Sequence, residues 1–382
     1  MSEKIRVGVV GCGDVAQNVY LPNLAALAQS GRIELLAIAD VDLQLARALA
    51  RRFAIPHALS NADDLLSTDV DLVVNLTPSQ VHAEVSLKAL AQGKHVYTEK
   101  PIAASLADAD AVVAAAHASD ARMASAPALL THPHVQQVLH WLFAGVIGEI
   151  CFVRGRASNP GPDRITDFRT DPSWFYRTGA GPLFDLAVYP LQVMTAALGP
   201  ARRVTAFSGI ALAKRQAGFG SAKGKAISVE VDDNTHILLD FGDARFANLD
   251  ATYCVLSSKG PRMEFYGADG VVNLAATADE PPFSLFRVDH DTGLRGWITP
   301  EPVYRGRVNP PRPPEPPPRY TLVNGVEHFL DHLTEDAPLL LTPEHARHVL
   351  EILLAAQESA RSGRAMTLRT DFDWDHLRKA IA

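Results

Sequence analysis

A lysine at position 100 has the sequence context of a catalytic residue. Apolar residues that favour a strand lead directly into Glu99-Lys100-Pro101. Proline has no N–H for a strand ladder and biases the preceding residue towards extended geometry, so the chain is predicted to turn at Lys100. An ammonium group there can hydrogen-bond a substrate hydroxyl and stabilise the alkoxide that forms from it. The alternative interpretation is a surface lysine paired with Glu99.

Asp185 and Tyr189 form a second candidate set for acid–base chemistry. Two glycines and Pro182 precede them, which is typical of a helix start with proline in its first turn. Residues four apart project from one face of a helix, and Pro190 is predicted to kink that helix. A neighbouring ammonium makes a phenol more acidic, so Tyr189 can take a substrate proton while Asp185 fixes the hydroxyl or orients the base. The alternative is a helix cap and a half-buried tyrosine.

A glycine-rich turn near the start of the chain predicts a dinucleotide site. The strand-like residues 7–10 run into Gly11-Cys12-Gly13-Asp14-Val15-Ala16, a GxGxxA pattern with a helix expected after it. The first glycine permits a tight turn, and Gly13 lets a diphosphate approach the backbone at the helix N-terminus. We therefore predict cofactor contacts at Gly11, Gly13, Asp14 and Val15, and hydride transfer as the chemistry that Lys100 would serve.

Asp40 is the candidate residue for the adenosine ribose. It ends the next apolar run, Ala37-Ile38-Ala39, somewhat beyond the roughly 20-residue offset usual for this carboxylate. A carboxylate accepts hydrogen bonds from the ribose hydroxyls and repels a 2′-phosphate, so NAD is favoured as cofactor, with NADP as the alternative. The competing interpretation makes Asp40 a loop cap before the helix that follows.

Two further loops are predicted to flank the cofactor. Ligands of parallel sheets bind outside the carboxyl ends of the strands, where the sequence carries Thr77, Pro78 and His82 after one strand and Glu99 and Lys100 after the next. Taken alone, the first loop is only a turn followed by an early helix residue.

The predicted helices and strands that must position these residues differ between the first and the second part of the chain. In the first part, short apolar runs alternate with helical patterns, which predicts a doubly wound parallel sheet of the Rossmann type. From about residue 149, consecutive strand-like runs with tight turns predict a mostly antiparallel sheet. An amphipathic helix is predicted at 343–361, capped by Gly363.

The amino-acid composition argues against some classes of binding partner. The chain has 382 residues, 47% hydrophobic and 21% charged, with a formal net charge of -7. This charge gives no general attraction for nucleic acid or an anionic membrane. Its three cysteines form no CxxC pair, so we predict neither a metal site nor a disulfide framework. With neither a signal-peptide pattern nor a spanning apolar window, a cytoplasmic protein is expected.

The residues quoted above together resemble the Gfo/Idh/MocA (glucose–fructose oxidoreductase / inositol dehydrogenase) family essentially end to end. The resemblance rests on the glycine turn, the Thr77-Pro78 loop with His82, Glu99-Lys100-Pro101, Gly145–Gly148, the Gly179–Tyr189 segment and the Glu358–Gly363 tail. The Glu-Lys-Pro motif is specific in combination with the Asp-x-x-x-Tyr segment.

The resemblance implies a fold of two domains. Residues 1–125 would form the Rossmann domain. Residues 126–382 would form an α/β domain with a large, open, mostly antiparallel sheet that mediates homodimers or homotetramers. It also implies hydride transfer at a hydroxyl carbon of a sugar, cyclitol or related diol, with Arg169 and Trp174 joining Asp185 as candidate substrate residues. Many relatives carry histidine where Tyr189 stands, which weakens an inositol dehydrogenase assignment.

Two alternatives to a dehydrogenase or reductase remain open from sequence. One is an enzyme that retains NAD and oxidises a sugar transiently during glycoside cleavage, elimination or epimerisation. The other is a dinucleotide-sensing regulator without catalysis, against which the complete set of Lys100, Asp185 and Tyr189 argues.

Overall fold

The computed structural model describes residues 4–165, 170–275, 281–289, 292–300 and 324–382. The described residues divide into two units. The first comprises those within Met1–His132 and Pro318–Leu350, and the second those within Pro133–Pro317 and Glu351–Ala382. A segment beyond residue 318 thus groups with the first unit, whereas the sequence-based boundary assigned everything after residue 125 to the second domain.

The first unit is built on a parallel sheet. In the described part of this unit, six strands lie in the order β3-β2-β1-β4-β5-β6, the strand order of a doubly wound dinucleotide-binding fold. The strands are β1 Ile5–Val10, β2 Ile33–Ala39, β3 His57–Leu59, β4 Leu72–Asn75, β5 His95–Thr98 and β6 Met123–Ser125. The helices between them are α1 Leu21–Gln29, α2 Leu43–Phe53, α3 Ala62–Leu66, α4 Ser79–Ala91 and α5 Leu106–Ala118. The predicted Rossmann sheet is confirmed.

Burial on both faces explains why the central strands are so apolar. Val7, Val9, Leu72 and Val74 are fully buried, because helices cover both faces of the sheet. Strand β3 and helix α3 were not predicted from the sequence. Three residues with a polar, exposed histidine at position 57 give no clear strand pattern.

The second unit is built on a larger, mixed sheet. Among its described residues, nine strands lie in the order β16-β15-β14-β13-β7-β12-β11-β8-β17. Strands β7 and β12 pair in parallel, and the other pairs are antiparallel. The strands are β7 Ile150–Ser158, β8 Arg203–Gly209, β9 Lys214–Gln216, β10 Ala226–Ser228, β11 Asn234–Asp240, β12 Phe246–Thr252, β13 Met263–Gly267, β14 Gly270–Leu274, β15 Phe283–Val288, β16 Arg295–Ile298 and β17 Met366–Thr367. The predicted mostly antiparallel sheet is confirmed, and β9 and β10 form a separate hairpin.

The nine-stranded sheet has one covered and one open face. The helices of this unit are α6 Pro133–Phe143, α7 Pro182–Asp185, α8 Val188–Leu198 and α11 Trp374–Ile381. The side chain of Met194 on α8 packs so closely on Gly155 that a Cβ there would clash. Along β11, Ile237 and Leu239 are buried on this face, whereas the intervening Leu238 is exposed on the other.

Two further helices, which precede α11 in the sequence, complete the fold. They are α9 Asn324–Glu335 and α10 Pro343–Ser362. The predicted helix 343–361 is confirmed, and Gly363 follows it at a φ of 69°, the left-handed conformation of a glycine C-cap. Among the described residues, a search for helices long and apolar enough to cross a bilayer finds none.

Candidate active site

The turn after β1 is shaped by two glycines with different roles. Gly11 has a φ of 100°, and a Cβ there would lie 2.6 Å from the carbonyl carbon and oxygen of Leu76. The fold therefore requires glycine at this position. At Gly13, by contrast, an added Cβ would meet none of the described residues within 4 Å. The protein's own packing does not account for this second glycine, but a diphosphate that must approach the backbone does.

A helical segment that leads into α1 begins immediately beyond this turn. Residues Asp14 and Val15 are already helical, and the N–H of Gln17 donates to the carbonyl oxygen of Gly13 at 3.0 Å. The first amides of a helix lack intrahelical acceptors and carry the positive end of the helix dipole. Both features favour an anionic group beside Gly13.

Asp40 is fixed against the glycine turn. One carboxylate oxygen accepts from the N–H of Cys12 at 2.7 Å, and the other accepts from the N–H of Asp42 at 2.8 Å. Burial, together with the charges of Asp40 and Asp42, raises the pKa of the Cys12 thiol to about 12. The cap of α2 is Asp42, which accepts from the N–H groups of Gln44 and Leu45. Asp40 is therefore not the helix cap, and its carboxylate is held next to the turn.

The loop after β4 is held by buried polar groups. The side-chain oxygen of Asn75 accepts from the hydroxyl of Thr77 at 2.7 Å, and its amide donates to the carbonyl oxygen of His82 at 3.0 Å. Pro78 precedes α4 and is exposed. Sequence reasoning missed Asn75, although a buried polar residue at a strand end is a signal that could have found it.

His82 lies between two loops. Its Nδ1 is 2.7 Å from the carbonyl oxygen of Pro101, and its Nε2 is 2.6 Å from that of Thr77. The residue is 1% exposed. Burial lowers the pKa of His82, and a neutral ring can donate to only one of these oxygens at a time. A role of His82 in cofactor binding would therefore be indirect, through the position of the loops.

The motif residues after β5 differ in burial. Glu99 is buried and accepts from the hydroxyl of Tyr20 at 2.7 Å and from the N–H of Lys100 at 2.8 Å. Burial and the charge of Glu99 raise the pKa of Tyr20, so this phenol stays protonated and donates. Lys100 itself is half-buried. Glu99 therefore acts through backbone and phenol contacts that fix the turn.

All of these first-unit residues follow the carboxyl ends of parallel strands. Gly11 follows β1, Asp40 follows β2, Thr77 lies just beyond β4, and Lys100 lies just beyond β5. Adjacent strand ends remain bonded, since the N–H of Gly11 donates to Ala39 at 2.9 Å. Parallel strands bring such residues to one edge of the sheet, where ligands of this fold bind.

In the second unit the predicted single helix bearing Asp185 and Tyr189 is wrong. It is two helices, because α7 ends at Asp185 and α8 begins at Val188. Pro190 has no N–H to donate to Leu186, and the N–H of Tyr189 donates there instead, at 3.3 Å. The proline therefore lies in the first turn of a new helix and does not kink an existing one.

Asp185 has a partner that sequence reasoning missed. Its carboxylate accepts from the hydroxyl of Tyr253 at 2.9 Å, while Asp185 and Tyr189 are both half-buried. Tyr253 directly follows β12 and is 68 residues away in sequence, so no local pattern connects the two.

The structure describes only one of the two other predicted substrate residues. Trp174 lies in a short helical turn, Pro172–Tyr176, and is 56% exposed while its ring stacks on that of Phe175. Arg169 lies outside the described residues. In the parts of the chain that the structure describes, no three His, Cys, Asp or Glu side chains group so that they could hold a metal ion.

Two models of one protein family match consecutive parts of the chain. The Gfo/Idh/MocA oxidoreductase family, described by its NAD-binding Rossmann fold, matches residues 5–126. The C-terminal domain of the same family matches residues 135–273. A curated relative, the dTDP-3,4-didehydro-2,6-dideoxy-alpha-D-glucose 3-reductase of Actinomadura kijaniata, is 34% identical over 51% of this chain and 56% of its own length. The chain thus spans about half the length of the first curated relatives it matches.

Solved structures share the fold over nearly the whole chain. An NAD-binding oxidoreductase from Klebsiella pneumoniae superposes with a TM-score of 0.80 at 22% identity, covering 97% of this chain and 100% of that one. Levoglucosan dehydrogenase in complex with NADH and levoglucosan gives 0.77 at 20% identity, covering 96% and 100%. With both domains matched in order and the glycine turn built as described, the chain belongs to the Gfo/Idh/MocA family of oxidoreductases.

Proposed function

We propose that this protein transfers hydride between NAD and a hydroxyl carbon of a sugar, cyclitol or related diol. The observation that carries the proposal is the shared sheet edge of the first unit. There the glycine turn leaves open room at Gly13, and Lys100 lies just beyond a neighbouring strand of the same parallel sheet. A dinucleotide held by the turn would place its reactive ring at this edge, within the reach of that lysine.

The residues present fit an NAD molecule. Gly11 and Gly13 would admit the diphosphate, with Asp14 and Val15 supplying helix N-terminal amides. Asp40 would accept from the ribose hydroxyls and disfavour a 2′-phosphate, so NAD is proposed over NADP. Val41, which is 94% exposed, offers an apolar surface beside that carboxylate. The loops at Thr77–Pro78 and Glu99–Lys100 would line the nicotinamide end, and His82 would hold both loops.

The catalytic set would be Lys100, Asp185 and Tyr189. Bound NAD supplies a hydride acceptor. When a hydroxyl carbon is oxidised to a carbonyl, Lys100 would hydrogen-bond the hydroxyl oxygen and Tyr189 would take its proton. Asp185 would fix the substrate by accepting from a hydroxyl. In the reverse direction Tyr189 would return the proton to the forming alkoxide.

A carbohydrate-like substrate has support from two sources. The exposed ring of Trp174 offers an apolar surface on which the carbon face of a sugar can pack. Arg169 stays a second candidate substrate residue from the sequence. Relatives named as a dTDP-sugar reductase and a levoglucosan dehydrogenase act on sugars. We propose the same class of substrate, a sugar, for this chain. We propose neither of the two individual substrates of these relatives.

The proposal is tested with NAD and a panel of free sugars, 1,6-anhydrosugars, cyclitols and sugar nucleotides, following NADH absorbance. With a substrate identified, Lys100→Ala should reduce kcat/KM by ~100-fold or more, as expected for loss of a charged donor that stabilises the forming alkoxide. NADH binding, followed by fluorescence, should persist. Lys88→Ala removes an exposed lysine that pairs with Asp63 and Glu84, and should leave turnover unchanged. Unchanged turnover in Lys100→Ala would refute the catalytic role.

The same preparation separates the two alternatives. Mass spectrometry of the desalted protein that still shows NAD would favour an enzyme that retains its cofactor. NADH binding without turnover of any panel member would favour a regulator. Cofactor exchange together with saturable turnover supports the dehydrogenase or reductase.

We further propose that the protein assembles as a homodimer or homotetramer through the open face of the nine-stranded sheet. The side chains of Phe207, Leu238 and Phe246 are exposed on adjacent strands of this face. A contiguous apolar surface of this kind marks a protein–protein contact.

A further inference from the structure

The second unit contains a buried ion cluster that the proposed chemistry does not use. The guanidinium of Arg215 is 3.1 Å from a carboxylate oxygen of Asp163 and 2.9 Å from one of Asp233, with all three side chains essentially inaccessible. The hydroxyl of Tyr176 also donates to Asp163. Buried charges persist only when they are paired and hydrogen-bonded. A cluster of this kind fixes the geometry of whatever it contacts.

The cluster holds the backbone of Tyr253 on both sides. The N–H of Tyr253 donates to the carbonyl oxygen of Asp233 at 2.9 Å. Its own carbonyl oxygen accepts from the guanidinium of Arg215 at 3.0 Å. The ring of Tyr253 meets the ring of Tyr176 edge-on, with centroids 5.6 Å apart. Both the main chain and the ring plane of Tyr253 are therefore fixed.

The free end of this side chain reaches Asp185. The hydroxyl of Tyr253 donates to the Asp185 carboxylate at 2.9 Å, and Tyr253 is fully buried. Burial, and then the charge of Asp185, raise the pKa of Tyr253, so the phenol remains protonated and continues to donate. Asp185 itself is half-buried at the end of a four-residue helix. A helix that short cannot orient a carboxylate by itself.

We propose that Tyr253 is a positioning residue for Asp185, fixed in turn by the Arg215–Asp233 pair. The carboxylate that would hold the substrate hydroxyl is thereby attached to a rigid, buried support. This inference rests on the proposed function for the role of Asp185 in catalysis, while the support itself is a structural claim that can be tested alone.

The structural claim is tested by crystal structures of the unmodified protein and the Tyr253→Phe variant. The phenylalanine keeps the ring contacts and removes the donor. Asp185 is expected to adopt a different side-chain rotamer in the variant. Tyr266→Phe is the matched control, since it removes a phenol that donates to Glu264 at 2.7 Å elsewhere in the sheet, and should leave Asp185 in place. An unchanged Asp185 in Tyr253→Phe would overturn the inference, whatever the substrate of the protein.

The catalytic consequence is tested by a double-mutant cycle with Asp185→Ala, using the best substrate from the panel. Tyr253→Phe alone should lower kcat/KM by ~10-fold with NADH affinity unchanged, and should lower it no further when Asp185 is already alanine. A merely structural tyrosine would reduce activity equally in both backgrounds, which would overturn the positioning role. If no panel member is turned over, the proposed function fails while the crystallographic result still decides this inference.

Discussion

Gly11 and Gly13 are glycines for different physical reasons. Gly11 has a positive φ and is enclosed by the Leu76 backbone, so the folded chain itself requires it. Gly13 faces open space, so its small size is of use only to something that is bound. The two positions should therefore respond differently to the same substitution.

We predict that Gly13→Ala folds normally but binds NADH at least ~10-fold more weakly, a difference of about 1.4 kcal/mol. The added methyl would occupy room that a diphosphate needs. Gly209→Ala is the matched control, because a Cβ at Gly209 also meets nothing within 4 Å. Fluorescence titration and thermal melting check both variants. Equal NADH affinity in the two would refute the diphosphate assignment of the turn.

Among the candidate site residues, the sequence predicts those that belong to a recognisable local motif. The glycine turn and the strand-end position of Lys100 follow from local patterns and parallel-sheet geometry. Tyr253 and the buried Arg215 could not be predicted in this way. Their partners are brought together by tertiary packing, as the 68-residue separation of Tyr253 from Asp185 illustrates.

At the scale of helices and strands, the local sequence predicts continuous segments. It does not predict where a helix is interrupted. The helix predicted at 343–361 lies at Pro343–Ser362, because its amphipathic periodicity is continuous. The segment that bears Asp185 and Tyr189 was predicted as one helix kinked at Pro190, yet one helix ends at Asp185 and another begins at Val188. A proline is compatible with either outcome, and packing of α8 against the sheet decides between them.

Two histidines, the half-buried His328 on α9 and the buried His345 on α10, make the stability of the protein dependent on pH. Burial, together with His348, lowers the pKa of His345 from 6.5 to about 3, and burial lowers that of His328 to about 4. The unfolded chain binds these protons more readily than the folded one. The stabilisation is therefore complete above about pH 6.5 and is lost as the pH falls towards 3.

We predict that lowering the pH from 7 to 5 costs on the order of 2 kcal/mol of stability through His345 alone. His345→Gln cannot titrate and should show a smaller drop of the thermal midpoint between these pH values. His57→Gln, at an exposed histidine, is the control and should retain the drop of the unmodified protein. An identical pH dependence in all three proteins would contradict the assignment.

At the scale of the whole molecule, the open face of the nine-stranded sheet is the surface through which we propose that the protein assembles. Phe207 on β8 is 85% exposed, and Leu238 on the neighbouring β11 is exposed on the same face. A single exposed apolar side chain needs no explanation, but Phe207, Leu238 and Phe246 on three successive strands do.

We predict that Phe207→Glu converts the oligomer to monomers, because a buried charge without a partner is costly. Light scattering coupled to size-exclusion chromatography measures the mass. Leu256→Glu, at an exposed position outside the strands, should keep the mass of the unmodified protein. A monomeric unmodified protein, or an intact oligomer in Phe207→Glu, would contradict the proposed interface.

The Rossmann unit is assembled from two distant stretches of chain. Helix α9 belongs to it, and Gly325 lies so close to the phenol of Tyr97 that a methyl group would not fit. The backbone of Ser125 in β6 donates to Leu341 at 3.1 Å. A gene fragment that ends near codon 132 would therefore encode an unfinished core. Recombination that exchanges this unit between relatives has to transfer residues 4–132 together with residues 324–350, so these two segments are expected to be inherited together.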